Sequence, residues 1–149
     1  MDIHALPCLR YESKTRKPMD PAYPQKPASI GEHIKKKRMD LKLFQSDVAK
    51  IFDVSTDCVT YWENNRSSPQ IIFYPKIIEF LGYNPLNFDE TNISGCIKAY
   101  RYRNGITSKM FGKLLNVDPS TVTEWENGNR IPAPKHRLKM ATLLDNHKK

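Results

Sequence analysis

Cysteines, long apolar runs and catalytic clusters are all scarce in this chain of 149 residues. Cys8, Cys58 and Cys96 are odd in number and have no CxxC spacing, so neither a disulfide framework nor a zinc site is predicted. No apolar run approaches the length of a membrane span, and the N-terminus lacks the basic start and long apolar centre of a secretory signal. We therefore expect a cytoplasmic protein in a reducing compartment.

Patterns typical of enzymes are missing as well. No Ser–His–Asp order, glycine-rich phosphate loop or carboxylate pair stands out. The histidines have no mutual spacing that suits a metal or a catalytic base; they are His4, His33, His136 and His147. We predict no enzymatic activity, no metal and no cofactor.

What the chain does have is an excess of positive charge, a formal net charge of +8. Residues 1–28 hold five basic and three acidic side chains, residues 29–88 hold eight and seven, and residues 89–149 hold eleven and six. Such a balance favours an anionic partner such as nucleic acid. The last of these segments should supply most of the attraction to phosphates.

The chain also repeats itself. A shift of 63 residues, without a gap, carries Ile30 to Ile93 and Trp62 to Trp125. Other identical pairs at this shift include Arg38/Arg101, Val59/Val122, Glu63/Glu126, Asn64/Asn127, Pro69/Pro132 and Leu81/Leu144. Chance rarely keeps one register over about fifty positions, so we predict two copies of one helical unit.

The repeat and the composition divide the chain into parts. Residues 1–28 form a Pro-rich arm, because their spaced prolines exclude a long helix. Residues 29–82 and 93–145 form the first and second units, joined by a linker at 83–92 whose apolar side chains should pack on a unit; 146–149 form a basic tail. The arm either touches DNA through its basic side chains or lies on the surface as a leader, and the sequence leaves both possibilities open.

Capping and turn residues predict the helix boundaries. In the first unit, Ser29 can cap the first helix with Glu32 completing a capping box, and the second helix should span Gln45–Phe52. Asp53 and Asn116 occupy tight turns, where they tolerate a left-handed backbone. In the second unit, the first helix is expected at 93–103, the second at about 107–115 and the closing helix at 133–144.

Residues 55–64 and 118–127 each predict a short helix with one apolar and one polar face. Ser55 and Asp118 can cap these helices, and a valine followed three residues later by a tryptophan buries one side. A polar face held from behind in this way suits insertion into a DNA groove. The candidates for base contacts are Thr56, Asp57, Thr60, Tyr61, Ser120, Thr123 and Glu124.

Residues 30–81 and 93–144 each resemble the phage-repressor (Cro-like, Xre-type) helix-turn-helix domain, a bundle of five short helices. The marks of the resemblance in the first unit are Arg38, Gln45, Ala49, Val54, Ser55, Val59, Trp62, Glu63, Asn64 and Pro69. Those in the second unit are Arg101, Gly112, Val117, Val122, Trp125, Glu126, Asn127, Gly128 and Pro132.

The resemblance implies that the third helix of each unit enters the major groove while the second crosses the DNA backbone. It implies structural ion pairs between Arg38 and Glu63 and between Arg101 and Glu126. It also implies phosphate contacts from Gln45, Asn64, Arg66, Ser108, Lys109, Asn127 and Arg130.

The chain departs from the family pattern at a few positions. Ser108 replaces the usual glutamine of the second unit, and Asp53 and Asn116 replace the usual turn glycine. Asp57 on the first groove face repels phosphate unless it accepts a hydrogen bond from a cytosine amino group. Two readings therefore stay open: both units contact DNA, or only the second does.

These patterns predict an all-α protein of two tandem five-helix, lambda-repressor-like helix-turn-helix domains with a Pro-rich extended N-terminal arm. The predicted function is sequence-specific binding of duplex DNA in transcription regulation, with a homodimer or a protein partner also possible. The alternative is a protein-interaction module, of the kind found in antitoxins or accessory factors of mobile elements.

Overall fold

The computed structural model of the protein describes residues 20–145, with side chains as far as Leu143. Within this span the chain is all-α, as predicted: eight α-helices, one 3-10 turn at Ile71–Phe73 and no strand. Most of the predicted arm and the whole predicted tail lie outside the described residues. The helices are α1 (Ile30–Asp40), α2 (Gln45–Phe52), α3 (Thr56–Glu63), α4 (Tyr74–Leu81), α5 (Ile93–Asn104), α6 (Ser108–Leu115), α7 (Pro119–Glu126) and α8 (Pro134–Asp145).

The helices pack around two separate apolar clusters, one built by α1–α4 and the other by α5–α8. The predicted count of five helices per unit is not confirmed, since four α-helices of the described span surround each cluster. No helix in residues 20–145 is both long and apolar enough to span a bilayer. The first cluster comprises Ile34, Val48, Ala49, Phe52, Val59, Trp62, Ile77 and Leu81. The second comprises Ile97, Tyr100, Phe111, Leu115, Val122, Trp125 and Met140.

The start of α1 is fixed by a cap close to the predicted one. The Ser29 hydroxyl accepts a hydrogen bond from the Glu32 N–H at 3.1 Å. The Glu32 carboxylate accepts from the Ala28 N–H at 2.8 Å and from the Asn65 side-chain amide at 2.9 Å. These bonds, the Ala28 bond foremost, lower the pKa of Glu32. The first helix is thereby tied to the end of α3.

The short helices begin differently in the two units. Ser55 caps α3 as predicted, accepting from the Cys58 N–H at 3.3 Å. The predicted side-chain cap by Asp118 is wrong. The N–H of Thr121 bonds instead to the main-chain oxygen of Asp118 at 3.0 Å, so this donor of the first turn is satisfied by the backbone.

The turns before α3 and α7 have the predicted backbone. Asp53 and Asn116 both adopt φ 58°, in the left-handed region. After α3 and α7 the chain turns again through left-handed residues, Asn65 at φ 57° and Gly128 at φ 73°. Two short helices joined by a left-handed turn thus recur in both halves of the described chain, with different residues in the turns.

The two halves differ where the first helix meets the third. A Cβ atom built on Gly31 would lie 1.7 Å from the carbonyl oxygen of Trp62. The residue 63 positions later is Ser94, whose hydroxyl donates to the carbonyl oxygen of Trp125 at 2.6 Å. We infer that α1 approaches α3 more closely than α5 approaches α7, because only α1 has a glycine at the crossing.

Gly31→Ala should destabilise the fold, because α1 must move away from α3 to admit the methyl group. Overpacking of this kind costs about 1–3 kcal/mol in the free energy of unfolding. Urea denaturation of the full chain, followed by circular dichroism, measures this loss. The matched change Ser94→Ala removes one hydrogen bond and should cost about 1 kcal/mol. Equal stability of Gly31→Ala and the unmutated protein would contradict the close crossing.

Candidate nucleic-acid interface

The helix α7 is held from behind by an apolar stripe. Val122 and Trp125 are buried in the second cluster, as their spacing predicts. The side chains of Ser120, Thr123 and Glu124 are exposed on the same helix. The candidates for base contacts in the second unit therefore share one open surface.

That surface has little internal bonding to limit its side chains. The Thr123 hydroxyl donates to the Pro119 carbonyl oxygen at 3.2 Å, an ordinary bond of a helical threonine. The Glu124 carboxylate lies 3.7 Å from an Arg130 guanidinium nitrogen, and both side chains are about half exposed or more. An ion pair this exposed contributes little stability, so it does not fix either side chain in place.

In the first unit, α3 is held in the same way by Val59 and Trp62, both buried. Thr56, Asp57 and Tyr61 are exposed, and Thr60 is half-buried. The four base-contact candidates of this unit thus lie on α3, but Thr60 is less accessible than the others.

Thr60 is half-buried because it joins a polar network. Its hydroxyl is within hydrogen-bond distance of Gln45 Oε1 and of the Thr56 carbonyl oxygen, at 3.0 Å from each. The Gln45 amide nitrogen donates in turn to Glu63 Oε2 at 2.8 Å. Gln45 is predicted to contact phosphate, yet in this structure its amide is engaged with protein at both ends.

The ion pair at the centre of that network is nearly buried, as the resemblance implies. Arg38 Nε and Nη2 bond to the two Glu63 carboxylate oxygens at 2.6 and 2.8 Å, and Nη1 donates to the Leu43 carbonyl oxygen at 3.1 Å. The Glu63 side chain is 1% exposed and that of Arg38 15%. This pair ties α1 to the end of α3 and to the loop before α2.

The second unit has the corresponding pair in a simpler form. Arg101 Nη1 bonds to Glu126 Oε1 at 2.5 Å, and Arg101 Nε donates to the Ile106 carbonyl oxygen at 3.0 Å. Ser108 stands at the position of Gln45. Its side chain is shorter and lacks the amide group through which Gln45 donates a hydrogen bond to Glu63. The helix α7 is therefore held by fewer polar side-chain contacts than α3.

The predicted phosphate contacts lie around these helices with different accessibility. Asn64 and Asn127 cap the C-terminal ends of α3 and α7. Those two residues and Arg66, Lys109 and Arg130 are exposed, while Gln45 and Ser108 are half-buried.

A comparison with known protein families bears on this geometry. Residues 97–147 match the model of a helix-turn-helix family. The match covers most of α5 and all of α6, α7 and α8, about a third of the chain. No curated protein and no solved structure matches the chain. Residues 97–147 are thus similar to a helix-turn-helix family, and the assignment of either unit to that family stays a prediction.

Sequence reasoning missed one exposed residue at the start of α2. Phe44, directly before α2, exposes 76% of its surface. Its counterpart in the second unit, Thr107, caps α6 by accepting from the Met110 N–H at 3.2 Å. Aligning the two copies gives the signal: an apolar residue replaces a capping threonine at a position that the helix cannot bury.

Glu63→Ala should destabilise the fold strongly, because Arg38 and Gln45 then lose the acceptor on which both converge. Removing one partner of a buried pair costs about 3–5 kcal/mol in the free energy of unfolding. Glu126→Ala should cost less, because Glu126 accepts one bond from Arg101, whereas Glu63 accepts two from Arg38 and one from Gln45. Urea denaturation checks the order, with the exposed Glu79→Ala as the control. A loss from Glu126→Ala as large as that from Glu63→Ala would contradict the difference between the pairs.

Proposed function

We propose that this protein binds duplex DNA sequence-specifically and regulates transcription. Residues 29–82 and 93–145 act as two tandem helix-turn-helix units, and residues 55–64 and 118–127 are their recognition helices in the major groove. The single observation that carries the proposal is the open polar face of α7, within the segment that matches a helix-turn-helix family.

The side chains on that face suit the edges of bases. Hydroxyl groups such as those of Ser120 and Thr123 can donate to or accept from several bases, while a carboxylate such as that of Glu124 accepts from the cytosine amino group. Asp57 offers the same chemistry on α3. The proposed base contacts are Thr56, Asp57, Thr60, Tyr61, Ser120, Thr123 and Glu124.

The distribution of charge supports the proposal that the second unit makes more of the contacts with the DNA backbone than the first. Exposed Lys109 lies in the first turn of α6 and exposed Arg130 follows α7. Residues 89–149 have five more basic than acidic side chains. Phosphate contacts of this kind orient a protein on the duplex without reading its sequence. The proposed phosphate contacts are Gln45, Asn64, Arg66, Ser108, Lys109, Asn127 and Arg130. The amide of Gln45 bonds to Glu63 and Thr60, so it must break one of these bonds before it can contact a phosphate.

The experiment that tests the proposal is selection of duplexes from a random pool by the full chain, followed by affinity measurements at several salt concentrations. Recovery of a consensus sequence and a steep loss of affinity with salt are the expected results. Failure to enrich any duplex, or an affinity that does not depend on salt, would contradict DNA binding.

A protein partner is the second candidate, and one observation favours it for the first unit alone. Phe44 and Tyr61 are exposed at its helix-turn-helix, next to the acidic Asp57 and Asp47. Aromatic side chains are enriched in protein interfaces, and acidic ones repel phosphate. A selected consensus with only one half-site, bound unchanged by a Phe44→Ser variant, would favour this role for the first unit.

Replacing Lys109 and Arg130 together by alanine should weaken binding to all duplexes alike, because both side chains are proposed to contact phosphate. The slope of log affinity against log salt should become shallower by about two units, one for each contact. Fluorescence anisotropy with a selected and an unrelated duplex measures both effects. Lys76→Ala, an exposed change on α4, is the control. An unchanged slope would refute the assignment of these two residues.

Glu124→Ala should relax the choice of base at one position of the selected site. Loss of a base contact typically removes about 1–3 kcal/mol of discrimination. The variant also frees Arg130 from its ion pair with Glu124, so the total affinity for DNA should fall by less than the discrimination between bases. Repeating the duplex selection with the variant shows the change. A consensus identical to that of the unmutated protein would mean that Glu124 does not read a base.

A further inference from the structure

The contact between α4 and α5 joins the two halves of the molecule. Tyr74, the first residue of α4, is 7% exposed, and its ring lies edge-on to that of Tyr102 on α5 with 4.8 Å between centroids. Phe88 of the linker packs on the same Tyr102 ring at 5.2 Å. Burial, followed by the neighbouring Tyr102, raises the pKa of the Tyr74 hydroxyl. We call this contact the joint, made by Tyr74, Pro75, Phe88, Tyr102 and Gly105.

Close packing at the joint is evident from Gly105. A Cβ atom built there would lie 3.0 Å from Pro75 Cγ and 3.2 Å from the Ile72 carbonyl oxygen. Gly105 has φ 64°, but Lys42, at the corresponding position of the first unit, adopts φ 56° with a full side chain. The left-handed backbone alone therefore does not require glycine here. The absence of a side chain lets Pro75 approach.

The linker is held along its length rather than free. Near its start, the Tyr83 hydroxyl is hydrogen-bonded to His33 Nδ1 at 2.7 Å. Towards its end, Glu90 forms an ion pair with Arg103 on α5. With Phe88 packed on Tyr102 between these points, the linker cannot act as a flexible tether, which would allow a wide range of separations.

The joint departs from the repeat on both of its sides. On the α5 side, Tyr102 and the buried Ala99 stand where the first unit has Met39 and Lys36. On the α4 side, Pro75 corresponds to Leu138, which is 73% exposed on α8. A repeated helical unit does not need these residues for its own core, since neither Tyr74 nor Tyr102 belongs to either apolar cluster.

We propose that the joint holds the two units as one rigid body and thereby sets the spacing between the two half-sites that the protein binds. This inference rests on the proposed function. Each inserted base pair turns one half-site by about 35° relative to the other, because a helical turn contains about ten base pairs. A rigid joint cannot follow that rotation. Tyr74 and Tyr102 are then positioning residues, which act on DNA only through the placement of α3 and α7.

The test uses the full chain and the two-half-site duplex recovered by random selection, with one, two, three or five base pairs inserted between the half-sites. The unmutated protein should lose about tenfold or more in affinity on the first or second insertion, because the second unit is no longer at high effective concentration. Tyr102→Ala should bind the original duplex more weakly, and its affinity should vary by no more than about threefold across the duplexes with inserted base pairs.

Two variants distinguish positioning from general damage. Tyr102→Phe keeps the ring and should keep the steep spacing profile of the unmutated protein. Leu138→Ala, the matched change at the exposed counterpart of Pro75, should also keep it. Tyr74→Ala removes the same ring contact from the other side and should flatten the profile as Tyr102→Ala does. Circular dichroism of each variant verifies that it folds.

The outcomes separate this inference from DNA binding itself. A flat profile of the unmutated protein overturns the inference, as does a steep profile in folded Tyr102→Ala and Tyr74→Ala. A selected site with one half-site overturns it too, while DNA binding stands; recovery of no duplex overturns both. Without DNA, nuclear spin relaxation should give one rotational correlation time for both units, and two distinct times would overturn the rigid joint directly.

Discussion

The interaction on which the structure depends is the attachment of α3 and α7 at their C-terminal ends. Each helix has only eight residues, too few to be stable alone in water. A buried tryptophan and, next to it, a glutamate bonded to an arginine of the unit's first helix hold each one in place. Because these contacts are all on one side, the polar side chains of the other side need not take part in folding.

The features of this attachment that the sequence could predict are those that are local or repeated along the chain. The Val–Trp spacing and the left-handed turns at Asp53 and Asn116 are local and recur at one shift, so the pattern predicts them twice. The Arg–Glu pairs were expected only from the family resemblance. The cap at Asp118 failed although the main-chain bonds match: the Thr121 N–H bonds to the Asp118 main-chain oxygen without its side chain, whereas the Cys58 N–H is shared between the main-chain and side-chain oxygens of Ser55. A local difference of this kind depends on details of geometry that no residue pattern contains.

Long-range contacts were the harder part. Nothing in the helical spacing indicates that Gln45 bridges Glu63 and Thr60, since that network depends on the crossing of three helices. The joint was equally hidden, because Tyr74 and Tyr102 are far apart in the chain and belong to no repeated pair. The sequence predicted which helix faces form the candidate site. It did not predict which side chains on those faces are held by internal hydrogen bonds and which are free of them.

The differences between the units give the joint its significance. The first unit is nearly neutral, closely packed at Gly31 and partly committed to internal bonds, whereas the second has most of the excess positive charge. We infer that the first unit alone would attract phosphate weakly. Under the proposed function, the first unit, held beside the second, would meet DNA at high effective concentration and would need only favourable base contacts to add to specificity. The proposed rigid joint would thus let a weakly attracted unit discriminate between sequences.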